Sequence, residues 1–216
     1  MRYSAVLLLL VSVPVVGQTL GAGIKGAFPV YGFETVSYLY RYGVRDSYIG
    51  GHQWGPALEV RVTKRWAVEA DLLYGRERLQ SFQAPAGAFP FPADRVNGRG
   101  PTLHLAVLAK WRLLRGPVTP FVSAGPAMRW THLQLDLDRL EITPTDQVHT
   151  LSHADESHTV AGFAVGGGLE VRWGRLRIAP EVRYTAYGSM PCNACLSASG
   201  DFPNVSPVSV MVGIGF

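Results

Sequence analysis

The sequence predicts an all-β fold, an eight-stranded antiparallel up-and-down transmembrane β-barrel. Three observations predict it. Stretches of about nine residues alternate apolar and polar side chains, the period of a strand and not of a helix. Short and long connections between these stretches follow one another in regular order, as a closed meander requires. All five tryptophans lie at the ends of apolar faces and none in the middle, the placement indole takes at a membrane interface.

The clearest stretch is Trp54 to Tyr74. Trp54, Pro56, Leu58, Val60 and Val62 share one face, against Gly55, Ala57, Glu59 and Arg61 on the other. After Thr63-Lys64-Arg65 the pattern resumes, with Trp66, Val68, Ala70, Leu72 and Tyr74 against Ala67, Glu69, Asp71 and Leu73. These are strands two and three, joined as a hairpin. Each apolar face is close to the roughly 9–11 residues that a tilted strand needs to cross a bilayer.

Residues 1–17 read as a secretory signal peptide, with Arg2 as the positive end, Ala5 to Val16 as the apolar core, and Val15 and Gly17 before a cleavage at Gln18. Residues 18–216 are then one barrel domain. Strand one, Leu20 to Phe28, sets Leu20, Ala22, Ile24 and Phe28 against Gly21, Gly23 and Lys25. Strand four sets Leu103, Leu105, Val107, Ala109 and Trp111 against His104, Ala106, Leu108, Lys110 and Arg112. Strand five carries Val122, Ala124, Met128 and Trp130 opposite Phe121, Ser123, Gly125 and Arg129. Strand six alternates Phe163, Val165, Leu169, Val171 and Trp173 with Ala164, Gly166, Gly168, Glu170 and Arg172. Gly174-Arg175 suits a two-residue turn with glycine first. Strand seven follows with Leu176, Ile178, Val182 and Tyr184 against Arg177, Ala179, Glu181 and Arg183. Strand eight closes the chain with Val208, Val210, Val212, Ile214 and Phe216 against Ser209, Met211, Gly213 and Gly215. Residues 31–51, 75–100, 133–157 and 188–205 read as long loops.

Alternation alone does not say which face looks out. Trp66, Trp111 and Trp173 border short connections, and Trp54 and Trp130 border long ones. That is a double aromatic girdle, so the apolar faces meet lipid. The other face mixes charge with Gly, Ala and Ser, as a narrow lumen requires. Its charges are Lys25, Arg61, Lys110, Arg112, Arg129, Arg172, Arg177 and Arg183 with Glu59, Glu69, Asp71, Glu170 and Glu181. An eight-stranded barrel is just wide enough to be filled by side chains, so these groups are expected to form a plugged network. Glu59 should face Glu69 across the hairpin, which calls for Lys110, Arg112 or Arg129 beside them. Turn geometry places Gly166 opposite Arg183 and Gly168 opposite Glu181.

The stretches GPALEVRVTKRWAVEADLLY, PFVSAGPAMRW, GFAVGGGLEVRWGRLRIAPEVRY and VSVMVGIGF resemble the small outer-membrane β-barrels of Gram-negative bacteria, the OmpA-like group. The resemblance implies residence among outer-membrane lipid and delivery by the barrel-assembly machinery, which reads a C-terminal strand ending in an aromatic, here Phe216. Many members also carry an aromatic two positions earlier, where this chain has Ile214. It implies little about activity, since members adhere, resist host factors or support the envelope.

Other chemistry finds weaker support. Charge is 17% of the chain and net +4, without basic runs, so nucleic acid is not an expected partner. Cys192 and Cys195 are expected to form a disulfide in an exported loop. The second cysteine precedes Leu196, not the histidine of a c-type haem site. His149, His153 and His158 with Asp155 and Glu156 match no regular metal spacing. His132 with Asp136 and Asp138, and His104 with Ser123, form no Ser–His–acid set at defined spacing. No catalytic, cofactor or metal residue is therefore expected. The aromatic loops 31–51 and 75–100 suit contact with a surface ligand. The expected role is structural or adhesive, with a narrow pore or solute carrier as the alternative and a lipid-modifying enzyme behind both.

Overall fold

The computed structural model describes residues 19–30, 34–39, 42–85, 93–142, 147–174, 176–188, 190–191, 201–202 and 208–216. Eight strands form a ring: β1 Thr19–Pro29, β2 Tyr42–Arg61, β3 Trp66–Pro85, β4 Ala93–Arg112, β5 Val118–Ile142, β6 Gln147–Trp173, β7 Leu176–Tyr187 and β8 Val208–Gly215. Each pairs antiparallel with the next. β1 also pairs with β8 (Gly23 with Gly215 through Pro29 with Ser209) and with β2 (Thr19 with Arg61 through Ala27 with Gln53), so the sheet has no free edge in the membrane. Glu34–Leu39 adds a short strand to the top of β2, and Met190–Pro191 pairs with Asp201–Phe202.

Tight turns make the lower end. Thr63 shapes the β2–β3 turn: its hydroxyl accepts from the amides of Arg65 and Trp66 at 3.2 and 2.9 Å, and its own amide donates to the Trp66 carbonyl at 3.0 Å. Gly174 opens the β6–β7 turn at φ 62°, in the left-handed region where a side chain would be strained.

The apolar faces point outward, as the membrane reading requires. Leu58, Val68, Leu72, Val107, Val122, Val165, Leu169, Val182, Val210 and Ile214 are all exposed. Trp66 and Trp111 are cross-strand partners and stack, with ring centroids 5.9 Å apart and planes inclined by 16°. At the upper level Trp54 lies opposite Tyr74, Tyr74 opposite Leu103, and Leu103 opposite Trp130.

Inside, Gly168 faces Glu181 and Gly166 faces Arg183. A Cβ at Gly168 would stand 2.2 Å from the Pro180 carbonyl oxygen and 2.8 Å from the Phe121 ring. A paired backbone cannot step aside. Gly168→Ala is therefore expected to cost about 1–3 kcal/mol, read as a lower urea midpoint for unfolding from micelles. Gly26→Ala, whose Cβ would meet nothing nearer than 3.6 Å, is expected to leave the midpoint unchanged.

The strands are much longer than the sequence pattern suggests. Much of three stretches read as loops is paired strand: Tyr42 onward pairs with β3, 77–83 with 94–100, and 133–142 with 147–156. The physical reason is an inversion of polarity without a change of phase. In β5 the inward row continues past Trp130 as Thr131, Leu133 and Leu135, all buried, while His132 and Gln134 look out. Below Trp130 the outside is lipid and the inside ionic. Above it the outside is water, so the inside becomes apolar.

Candidate functional site

The lumen has two parts. The lower part is ionic and is built from one to three inward positions on each of six strands. Glu59 of β2 lies directly across from Glu69 of β3. Lys110 of β4 reaches both, at 3.3 and 2.9 Å, and Arg112 reaches Glu59 and Glu170 at 2.8 Å each. Lys25 of β1 bridges Glu69, Asp71 at 3.0 Å and Glu181 at 3.2 Å. Arg183 of β7 spans the lumen to Asp71 at 2.8 Å and also holds Glu181 at 2.9 Å. At the lower mouth Arg177, Arg61 and Arg172 pair with Glu59 at 2.7 Å, Glu59 at 3.2 Å and Glu170 at 2.7 Å.

Such a cluster is tolerable only because each charge is paired and hydrogen-bonded. Lys25, Lys110, Arg112 and Arg183 are four cations at 5% side-chain exposure or less, against five carboxylates at 8% or less. The three arginines of the mouth tip the balance to positive.

Above this layer lies a hydrogen-bonded group that sequence reasoning did not assemble. His104 Nδ1 is 2.7 Å from the Tyr187 hydroxyl, and its Nε2 is 3.3 Å from Glu77 and 3.0 Å from the Gln53 amide nitrogen. The Thr131 hydroxyl donates to Glu77 at 3.4 Å and is 3.1 Å from that of Thr102. Arg129, buried among the inward residues, sets its guanidinium over the Tyr187 ring at 4.6 Å. A cavity of about 50 Å³ separates Asp71 and Arg183 from His104 and Tyr187, room for a few waters. An apolar cluster begins beside this group, with Leu108 opposite Glu69 and Val160 opposite Arg129, and continues upward through Leu133, Leu135 and Val96, with Tyr187 at its side and Leu137 and Ala154 at its edge.

The catalytic candidates do not converge. His104 and Ser123 both face inward, but Ser123 donates to Glu181 at 3.1 Å while His104 bonds within its own group. His132 Nδ1 is 2.8 Å from the Ser157 hydroxyl, whereas Asp136 pairs with His153 at 2.6 Å on the outer face. His158 pairs with Glu156 at 2.8 Å. Among the described residues no three His, Cys, Asp or Glu side chains gather as metal ligands. Cys192 and Cys195 lie outside the described residues, as do Tyr31, Phe33 and Tyr40 of the first aromatic stretch and residues 1–17. Phe216 is outward and 73% exposed at the lower rim, with its amide donating to the Ala22 carbonyl at 3.0 Å.

Fold and lumen together define a membrane-type eight-stranded β-barrel with a charged interior. Neither a protein-family model nor a curated sequence matches the chain. Among solved structures it is similar to neisserial surface protein A at 14% identity, over 93% of this chain and 98% of that one, with a TM-score of 0.42. It is similar to the N-terminal β-barrel domain of Pseudomonas aeruginosa OprF at 14% identity, over 91% and 96%, with a TM-score of 0.39. It is also similar to Ail, the attachment invasion locus protein of Yersinia pestis, at 10% identity, over 92% and 94%, with a TM-score of 0.36. At these scores the likeness carries no argument, and the class rests on the chain's own pairings and faces.

Proposed function

We propose that the chain is a non-enzymatic outer-membrane β-barrel with a closed lumen, serving the envelope as a structural and surface-display element. The observation that carries the reading is the double filling of the interior, ion pairs below and apolar side chains above. The cavity between the layers is about 50 Å³ and is bounded by Asp71, His104, Arg183 and Tyr187. A conducting path needs continuous water, and both layers oppose it.

The upper hairpins support display. β5 continues from Trp130 to Ile142 beside β6, about 40 Å of strand at 3.3 Å per residue. Its inward leucines stiffen it as a loop would not be stiffened. Surface adhesion through this upper part follows from that rigidity. The exposed Phe216 and the outward row of β8 supply the C-terminal signal by which barrel-assembly machinery would recognise the chain.

Planar-bilayer recording tests the lumen. The purified barrel is expected to give no stable open-channel steps. Regular single-channel steps from the unmodified chain would favour the narrow pore and defeat this reading.

A further inference from the structure

Just above the upper aromatics the outer wall carries a cationic patch. Outward positions follow each other around β2 to β5 at the level next to Trp54, Tyr74 and Trp130: His52, Arg76, Pro101 and His132. One level higher come Arg78, Arg99 and Gln134. Arg78 and Arg99 are direct cross-strand partners. Like charges in that position repel, and they are tolerated best with an anion between them.

The described residues do not supply that anion. Among the described residues no carboxylate lies in ion-pair range of Arg76, Arg78 or Arg99. Glu77 borders the same groove but is 2% exposed and turned inward onto His104 and Thr131. The groove holds about 860 Å³ between His52, Tyr74, Arg76, Arg78, Arg99 and His132, open to the outside.

Height identifies the occupant. Each two-residue step adds about 5 Å along the barrel axis at the usual strand tilt, so Arg76 and then Arg78 with Arg99 stand about 5–10 Å above the aromatics. The headgroup layer is about 5–8 Å thick on each side of the hydrocarbon. Long arginine side chains fall within it.

We infer that this face binds the phosphorylated headgroups of the surrounding outer-leaflet glycolipid. Arg78 and Arg99 clamp a phosphate between them, and Arg76 with the two histidines lines the sugar side below. Arginine suits the task because its planar fork meets phosphate oxygens bidentately. The inference rests on the outer-membrane reading, since it requires the aromatics to mark an interface.

The test compares the unmodified chain with Arg76→Gln/Arg78→Gln/Arg99→Gln, both folded into detergent micelles and checked by heat-modifiable gel migration. Failure of the unmodified chain to fold there would defeat the barrel reading itself and is seen before any binding is measured. Equilibrium binding is then followed for bis-phosphorylated lipid A, for dephosphorylated lipid A, for inorganic phosphate and for a sulfated polysaccharide. One basic group near a phosphorylated surface contributes about fivefold in affinity, so the triple variant is expected to lose on the order of a hundredfold for bis-phosphorylated lipid A. The dephosphorylated lipid is expected to bind both chains alike and weakly.

Unchanged affinity in the triple variant overturns the inference. So does equal affinity of the unmodified chain for the two lipids, or binding of inorganic phosphate as tight as that of the lipid. A polysaccharide that depends on the three arginines while the lipid does not would assign the patch to a soluble polyanion and overturn it too. If the triple variant does not fold, Arg78→Gln/Arg99→Gln and Arg76→Gln are read by the same criteria.

Discussion

Lys25→Met is expected to destabilise the barrel by about 3–5 kcal/mol, the scale for removing one partner from a buried ionic cluster. Lys25 touches three carboxylates, Glu69, Asp71 and Glu181, and is 3% exposed. Without it, three buried negative charges would share Lys110 and Arg183. Water is poorly placed to help, because the two cavities among the described residues that border the cluster, one against Asp71 and Arg183 and one against Lys25 and Glu69, hold about 50 Å³ each, room for few molecules. The measurement is the urea midpoint in micelles, followed by the loss of heat-modifiable migration. Asp71 offers an internal control, since its Oδ1 has no hydrogen-bond partner among the described residues. Asp71→Asn in the Lys25→Met background is expected to recover about 0.5–3 kcal/mol through their coupling. A midpoint that stays put in Lys25→Met would mean that the ionic layer is not the close-paired plug described.

The second large effect lies in the upper part. Leu135→Ala is expected to cost the hairpin above Trp130 about 2–5 kcal/mol, and Leu135→Asp more, because Leu135 is 1% exposed within an apolar cluster. Gln134→Ala, one position away on the wet face, is expected to cost less than about 0.5 kcal/mol. Limited proteolysis checks it: cleavage between Thr131 and Ser157 should accelerate in both Leu135 variants while the membrane ring stays heat-modifiable. Equal cleavage of the Leu135→Ala and Gln134→Ala chains would restore 133–157 to an ordinary loop.

That second case shows why part of the architecture escaped the sequence. The run Leu133-Gln134-Leu135-Asp136-Leu137-Asp138 alternates as strictly as Trp66 to Tyr74 does. Read with one rule, apolar means outward, it looked like a polar loop beyond the membrane. In the same way Arg76 and Arg78 continue the outward row of Tyr74, and the reversal from apolar to basic hid them as strand residues. Period carries the strand; polarity carries only the solvent on each side. The phase kept through the change of solvent was the signal for both the apolar cap and the cationic face.

The alternation of Gly, Ala and charge with apolar residues was enough by itself to determine eight strands, their outward faces and the facing of Glu59 with Glu69. These are local properties, since side-chain direction follows from period two and neighbouring register from short turns. Ring closure decided the rest. Only curvature brings Arg183 of β7 within 2.8 Å of Asp71 of β3 and sets Lys25 between carboxylates from two other strands. Only the finished tube makes those charges depend on one another and lets His104 meet Tyr187 across it.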